Sequence, residues 1–177
     1  MKAKLVNESV ESIFRGKSKN EVIQAFRNLD NLKGLDLRSF SQIPDDIKEI
    51  NNKGPIYLSN ATHIPHDIKF NNEGNVYLNN LKNMSAGVKF NNKGGVYLNK
   101  LTSMLDGVEF NNKGEINLEN LTNIPKGTIF NNKGNIYLFS LYDIIKGIEF
   151  NNKGYYIVLK NKRFIYNDVT TGLDIYR

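Results

Sequence analysis

Four groups of side chains in this chain stand at spacings that invite chemistry. His63 and His66 flank Ile64-Pro65. Two imidazoles so placed supply half of a metal site, yet no acidic partner has ligand spacing and the chain has no cysteine. Lys53, Lys93, Lys113, Lys133 and Lys153 recur in the context Asn-Asn-Lys-Gly, with Glu73 replacing lysine once. Such a row can follow a phosphate backbone, although lysine in an exposed turn is also an ordinary solubilising residue. The third group is Tyr57, Tyr77, Tyr97 and Tyr137, set among small polar neighbours and joined by Phe139. Tyrosine in that company is the composition of a protein-binding face. Glu115, Asn117 and Glu119 form the fourth group, and they fall where a further tyrosine and its neighbours are due.

None of these groups is catalytic by type. No nucleophile elbow, Walker loop or paired-glycine dinucleotide fingerprint occurs, so neither an enzyme nor a cofactor is expected. A surface role is the expectation for the two histidines, with no metal.

The elements that position these residues follow from an internal period. Asn-Asn-x-Gly begins at Asn51, Asn71, Asn91, Asn111, Asn131 and Asn151, a 20-residue spacing without insertion. Apolar columns keep the same step. One runs Ile56, Val76, Val96, Ile116, Ile136, and another Leu58, Leu78, Leu98, Leu118, Leu138. Further columns begin at Ala61, Ile64, Ile68 and Phe70. Each unit holds two short alternating segments, such as Val76-Tyr77-Leu78 and Val88-Lys89-Phe90. Alternation turns Val and Leu inward and Tyr outward. A single unit cannot bury its apolar residues, but stacked units convert each column into a continuous stripe. A β-rich solenoid is therefore expected over residues 35–154.

Turn chemistry agrees with coiling. The Gly54, Gly74, Gly94, Gly114, Gly134 and Gly154 column is expected at positive φ. So is the second column of Gly87, Gly107, Gly127 and Gly147, where Asp67 stands in once. Paired asparagines are expected to form ladders at the bend. The alternative path folds Val88–Phe90 back on Val96–Leu98 as a hairpin across Asn-Asn-Lys-Gly.

The ends read as caps. Residues 1–34 are expected to form a helical cap, with a capping box at Ser18-Lys19-Asn20-Glu21 followed by Val22, Ile23, Phe26 and Leu29 on helical spacing. Leu35-Asp36-Leu37 echoes the later columns with one residue of extra spacing. Residues 155–177 carry Tyr156–Leu159 and Phe164–Tyr166 as a closing β-hairpin.

Val76-Tyr77-Leu78-x-x-Leu81-x-x-Met84, followed by Gly87-Val88-x-Phe90-Asn91-Asn92, resembles the Treponema/BspA type of leucine-rich repeat. Ile64-Pro65 and Ile124-Pro125 are similar to the Ile/Leu-Pro of short bacterial leucine-rich repeats. This unit is shorter than the Treponema type, and Asn replaces its ladder cysteine. The expected fold is a leucine-rich-repeat-like or β-helix-like solenoid of about six to seven coils. In leucine-rich repeats the Tyr77 position faces out from the strand sheet, the usual recognition surface. The leader from Val6-Asn7-Glu8-Ser9 through Phe14-Arg15-Gly16-Lys17-Ser18-Lys19 resembles the N-termini of small bacteriophage proteins.

Composition narrows the partners. The formal net charge of +6 is spread out: 9 basic against 8 acidic side chains in residues 1–50, 11 against 8 in 51–154, and 4 against 2 in 155–177. No basic block marks a nucleic-acid binder. No apolar stretch approaches the ~18 residues of a spanning helix. Absent cysteine suits a reducing compartment, so a cytoplasmic location is expected, the host cytoplasm if a phage encodes the chain. The leading expectation is a binding module that engages another protein through its Tyr face, with inhibition of a host defence protein as the phage-related version. Nucleic-acid binding along the lysine edge, or a structural role in a virion, are the rivals.

Overall fold

A computed structural model of the chain describes residues 34–38, 40–141, 147–151, 156–160, 163–165 and 174–176, with Leu35, Tyr156, 163–165 and 174–176 as backbone only. The expected N-terminal helical cap lies outside the described residues, and among those residues there is no helix. They form a parallel β-solenoid of about five coils.

Each complete coil contributes one strand to each of two sheets, and both ladders run on into further strands at the ends of the stack. The Tyr sheet runs Leu35–Asp36, Ile56–Tyr57, Val76–Tyr77, Val96–Tyr97, Ile116–Asn117, Ile136–Leu138 and Tyr156–Leu159, all parallel. Arg163–Ile165 and then Asp174–Tyr176 continue it antiparallel. The Phe sheet stacks Glu49–Ile50, Lys69–Phe70, Lys89–Phe90, Glu109–Phe110, Ile129–Phe130 and Glu149–Phe150, again all parallel. Lys89 pairs with Lys69 and Glu109, one coil away on either side, rather than with its own coil's Val96. The chain therefore winds continuously, and the hairpin path is ruled out. Two-residue strands gain too little from one another in isolation. The ladder of like strands supplies what a hairpin could not.

Register is homotypic. Ile56 faces Val76, Val96 faces Ile116, and Phe90 faces both Phe70 and Phe110. Leu35 faces Ile56, so the first step carries the extra residue that its sequence announces. Inward columns merge into one core, where Val76, Leu78, Leu81, Val88 and Phe90 are fully buried. Each such side chain contributes roughly 1.5–3 kcal/mol before chain entropy is subtracted. Phe70, Phe90, Phe110, Phe130 and Phe150 stack with centroids 4.9–5.2 Å apart and planes within 8°.

A third ladder is limited to Asn83–Met84 and Ser103–Met104. Leu105 N–H donates to Met84 O at 3.1 Å just beyond it. Pro125 holds the corresponding position one coil on, and Pro65 two coils back. Proline lacks the N–H that this bond requires, so the ladder stops at Pro125, while at its other end the Ser85 hydroxyl donates to the Ile64 carbonyl at 2.6 Å.

The two glycine columns turn out to differ. Gly87, Gly107, Gly127 and Gly147 adopt φ between 68° and 93°, and Asp67 matches them at 59°. Gly54, Gly74, Gly94, Gly114 and Gly134 do not adopt positive φ, contrary to expectation. Their constraint is proximity. A Cβ on Gly74, Gly94, Gly114 or Gly134 would lie 2.4–2.5 Å from atoms of the preceding coil. Two backbones meet there with no room for a methyl group.

The paired asparagines divide the bend between them. The outer residue forms a side-chain ladder: Asn91 Nδ2 donates to Asn71 Oδ1 at 2.8 Å, Asn111 to Asn91 at 3.0 Å, and Asn131 to Asn111 at 2.7 Å. The inner residue is buried and ties coils through carbonyls: Asn72 Nδ2 donates to Gly74 O at 2.7 Å and to Gly54 O at 3.2 Å. Its Oδ1 is buried without a donor, as are those of Asn52, Asn92, Asn112 and Asn132.

Replacing Gly94 with Ala should lower unfolding stability by about 3 kcal/mol, the cost of forcing atoms into a packed contact. Gly127→Ala, strained in φ but with open space around its Cβ, should cost about 1 kcal/mol. Denaturant unfolding of the two variants checks the order, which positive φ alone would reverse.

Candidate functional site

The Tyr sheet carries three outward columns, set by the alternation around Ile56 and Leu58 and their copies. The middle column is Tyr57, Tyr77, Tyr97, Asn117, Tyr137, brought into line by the strand register. Pro55, Asn75, Gly95, Glu115 and Asn135 flank it on one side, and Ser59, Asn79, Asn99, Glu119 and Phe139 on the other.

The first three rings form a stack. Tyr57 and Tyr77 have centroids 5.0 Å apart at 2°, and Tyr77 and Tyr97 are 4.9 Å apart at 10°. Stacking half-buries the row: Tyr57 is 37% exposed, and Tyr77, Tyr97 and Tyr137 are less so. Ring edges and hydroxyls, rather than ring faces, are therefore what most of the row offers to solvent.

Hydroxyls are anchored by the flanking column. Asn75 Nδ2 donates to Tyr77 Oη at 2.8 Å, and Asn135 Nδ2 to Tyr137 Oη at 3.3 Å. Position 95 is glycine, so Tyr97 instead donates to Glu115 Oε1 of the next coil at 2.9 Å. Burial and then the Glu115 carboxylate push the Tyr97 phenol up to about 12.

At the N-terminal end of the stack the Arg38 guanidinium lies 6.0 Å from the Tyr57 ring centre. Asp36 holds it there, with Nη2 to Oδ2 at 2.6 Å and Nε to Oδ1 at 3.0 Å. The guanidinium in turn keeps the Asp36 carboxyl below its ordinary range.

At Asn117 the aromatic row is broken. Asn117 Oδ1 accepts from the Glu119 N–H at 3.1 Å, which folds its short side chain along its own strand. Beyond it, Tyr137 meets Phe139 with centroids 5.7 Å apart at 42°, and Phe139 is 43% exposed. Among the described residues neither Glu115 nor Glu119 has a cationic partner.

The lysine column is aligned but not uniform. Lys53, Lys93, Lys113 and Lys133 are exposed at successive turns, and Lys153 lies outside the described residues. Lys93 Nζ meets Glu73 Oε1 at 2.8 Å, and this contact lowers the Glu73 pKa. One lysine of the row is thereby neutralised. The histidines diverge: His63 Nε2 lies 3.3 Å from Asp45, and His66 Nδ1 2.8 Å from Asp67. Among the described residues no three of His, Cys, Asp and Glu gather as a metal site would require. No helix among them is long and apolar enough to cross a membrane.

Sequence reasoning grouped the Tyr row and its interruption correctly in space, since register follows the period. It did not find Arg38 and Asp36 beside Tyr57. They sit in the coil with the irregular step, where column arithmetic fails.

The fold and its surface define a parallel β-solenoid repeat protein. Compared with family models, curated proteins and solved structures, the chain finds no match.

Following phenolate absorbance with pH should show one tyrosine ionising near 12, and Glu115→Gln should lower that value without restoring the ordinary 10.0, since burial remains. Unfolded tyrosine ionises near 10.0, so this difference stabilises the fold fully below that pH. The contribution disappears as pH rises from 10.0 to about 12.

Proposed function

We propose that the protein is a non-enzymatic binding module that engages another protein through the Tyr sheet. The supporting observation is the outward face itself: a stacked tyrosine row on a rigid parallel ladder, rimmed by asparagine and glutamate and ending in exposed Phe139. Stacked rings lose little further freedom on binding, so a partner meets a surface whose ordering cost is already met. Two extended parallel sheets that share one core favour a β-helix-like reading over a leucine-rich-repeat horseshoe. The strands beyond residue 155 would serve as the C-terminal cap. Nucleic-acid binding along the lysine edge is the weaker reading, because Glu73 neutralises part of that edge and Glu115 and Glu119 stand on the adjoining face.

Immobilised wild type should capture a partner from cells that naturally contain the protein, and Tyr77→Ala/Tyr97→Ala should lose that partner while remaining folded. Equal recovery by the folded variant would exclude this face.

A further inference from the structure

The break in the tyrosine row sets a short side chain between two tyrosines and two carboxylates beside it. Asn117 is paired in register with Tyr97 on one side and Tyr137 on the other. Two coil steps of ~4.8 Å put those flanking rings about 10 Å apart. A planar group inserted midway would lie about 5 Å from each, the ring spacing this ladder already uses. Asn117 is too short to fill that space and is tied back to the Glu119 N–H. The Tyr97 phenol, neutral at ordinary pH, makes one wall, and Tyr137 with the tilted Phe139 makes the other. Glu115 and Glu119 stand on either side of the floor, both without a cation among the described residues.

The same surface shows what such a site selects. At the far end of the row the chain places its own guanidinium against the outer ring, Arg38 on Tyr57, fixed by the Asp36 carboxylate. Ring and carboxylate recur at Asn117 without an arginine. Guanidinium is flat enough to stack, is always charged, and presents donors to two carboxylates, whereas an ammonium is a point charge that cannot stack.

We propose that the gap above Asn117, between Tyr97 and Tyr137, receives an arginine side chain of the bound protein, with Glu115 and Glu119 as its counter-charges. The proposal rests on the Tyr face being the binding surface and specifies the chemistry of its partner. The partner presents arginine from an extended or looped segment to the centre of the sheet, where the bond is shielded from solvent and worth most.

The test uses the full chain, isotope-labelled, with Ac-Gly-Arg-Gly-amide and its citrulline and lysine counterparts as probes in NMR titrations. The arginine peptide should shift the amides of Asn117, Glu119 and Tyr97, and the neutral citrulline peptide should bind about tenfold more weakly. The lysine peptide should also be weaker than arginine. Asn117→Tyr should fill the slot and abolish the response. It introduces the residue that four other coils carry at this position, so the fold should tolerate it. Glu115→Gln/Glu119→Gln, which leaves the slot open, should reduce arginine binding to the citrulline level. Equal binding of arginine and citrulline, no response to arginine, or full response by folded Asn117→Tyr would each overturn the proposal. If Tyr77→Ala/Tyr97→Ala loses the cellular partner while Asn117→Tyr retains it, the face stands as the binding surface and the arginine slot falls.

Discussion

In-register stacking is the constraint on which the rest of this structure depends. With a 20-residue period and parallel strands, nearly every side chain touches its own copy one coil above and below. Selection at each position then becomes a question of which residues tolerate themselves as neighbours. Asparagine does, because one amide donates to the next, and the outer column is asparagine without exception. Phenylalanine does, by stacking, and fills the core. Lysine gains nothing from such stacking, yet Lys69 faces Lys89 and Lys93, Lys113 and Lys133 follow one another in exposed turns, while opposite charges meet at two steps, Lys89 with Glu109 at 2.6 Å and Lys93 with Glu73. Glu73 pairs with Lys93 at 2.8 Å and removes, at that step, the like-charge repulsion that ~4.8 Å spacing imposes along the rest of the lysine row.

Much of the fold was legible for the same reason. Identical spacing of Val76, Leu78, Phe90 and their copies fixes both the strands and their register, since a slip by one residue would turn every inward side chain out. Two things could not be read. Gly74 and Gly87 look alike in the alignment of units, yet Gly74 answers to the backbone of the preceding coil and Gly87 to its own φ of 68°. A column of glycine states that a side chain is forbidden, not why. Asp67 was the available hint: its φ of 59° shows that the second column tolerates a side chain and the first never does. The Arg38–Asp36 pair on Tyr57 was hidden for a different reason. It lies one irregular step outside the repeat, where periodicity carries no information.

The face that periodicity places outward is also less open than alternation implies. Stacking conceals the faces of Tyr57, Tyr77 and Tyr97 in one another, so a continuous row would offer chiefly edges and hydroxyls. Aromatic faces become available only where stacking stops. That happens at the two ends of a row and at any internal break. One end is taken by Arg38. The break at Asn117 is then the place where ring faces can meet a guest without dismantling the ladder.

Nothing in the scaffold requires that break. The core of the same coil is unaltered, with Ile116, Leu118 and Leu121 fully buried like their counterparts. The glycine at 114 still meets the preceding coil, and Asn112 still ties the bend. A tyrosine at 117 would have found Tyr97 and Tyr137 waiting at stacking distance. The coil instead replaces three outward residues together, giving up two ring contacts and setting two carboxylates beside the opening. The flanking columns vary from coil to coil, but only in this coil do both carry a carboxylate. Coupled loss of an aromatic and gain of flanking charge is what a change in what the surface binds would produce, because a cation needs both the space and the counter-charge at one point. The repeat builds the ladder, and the coil that departs from it is where the proposed specificity lies.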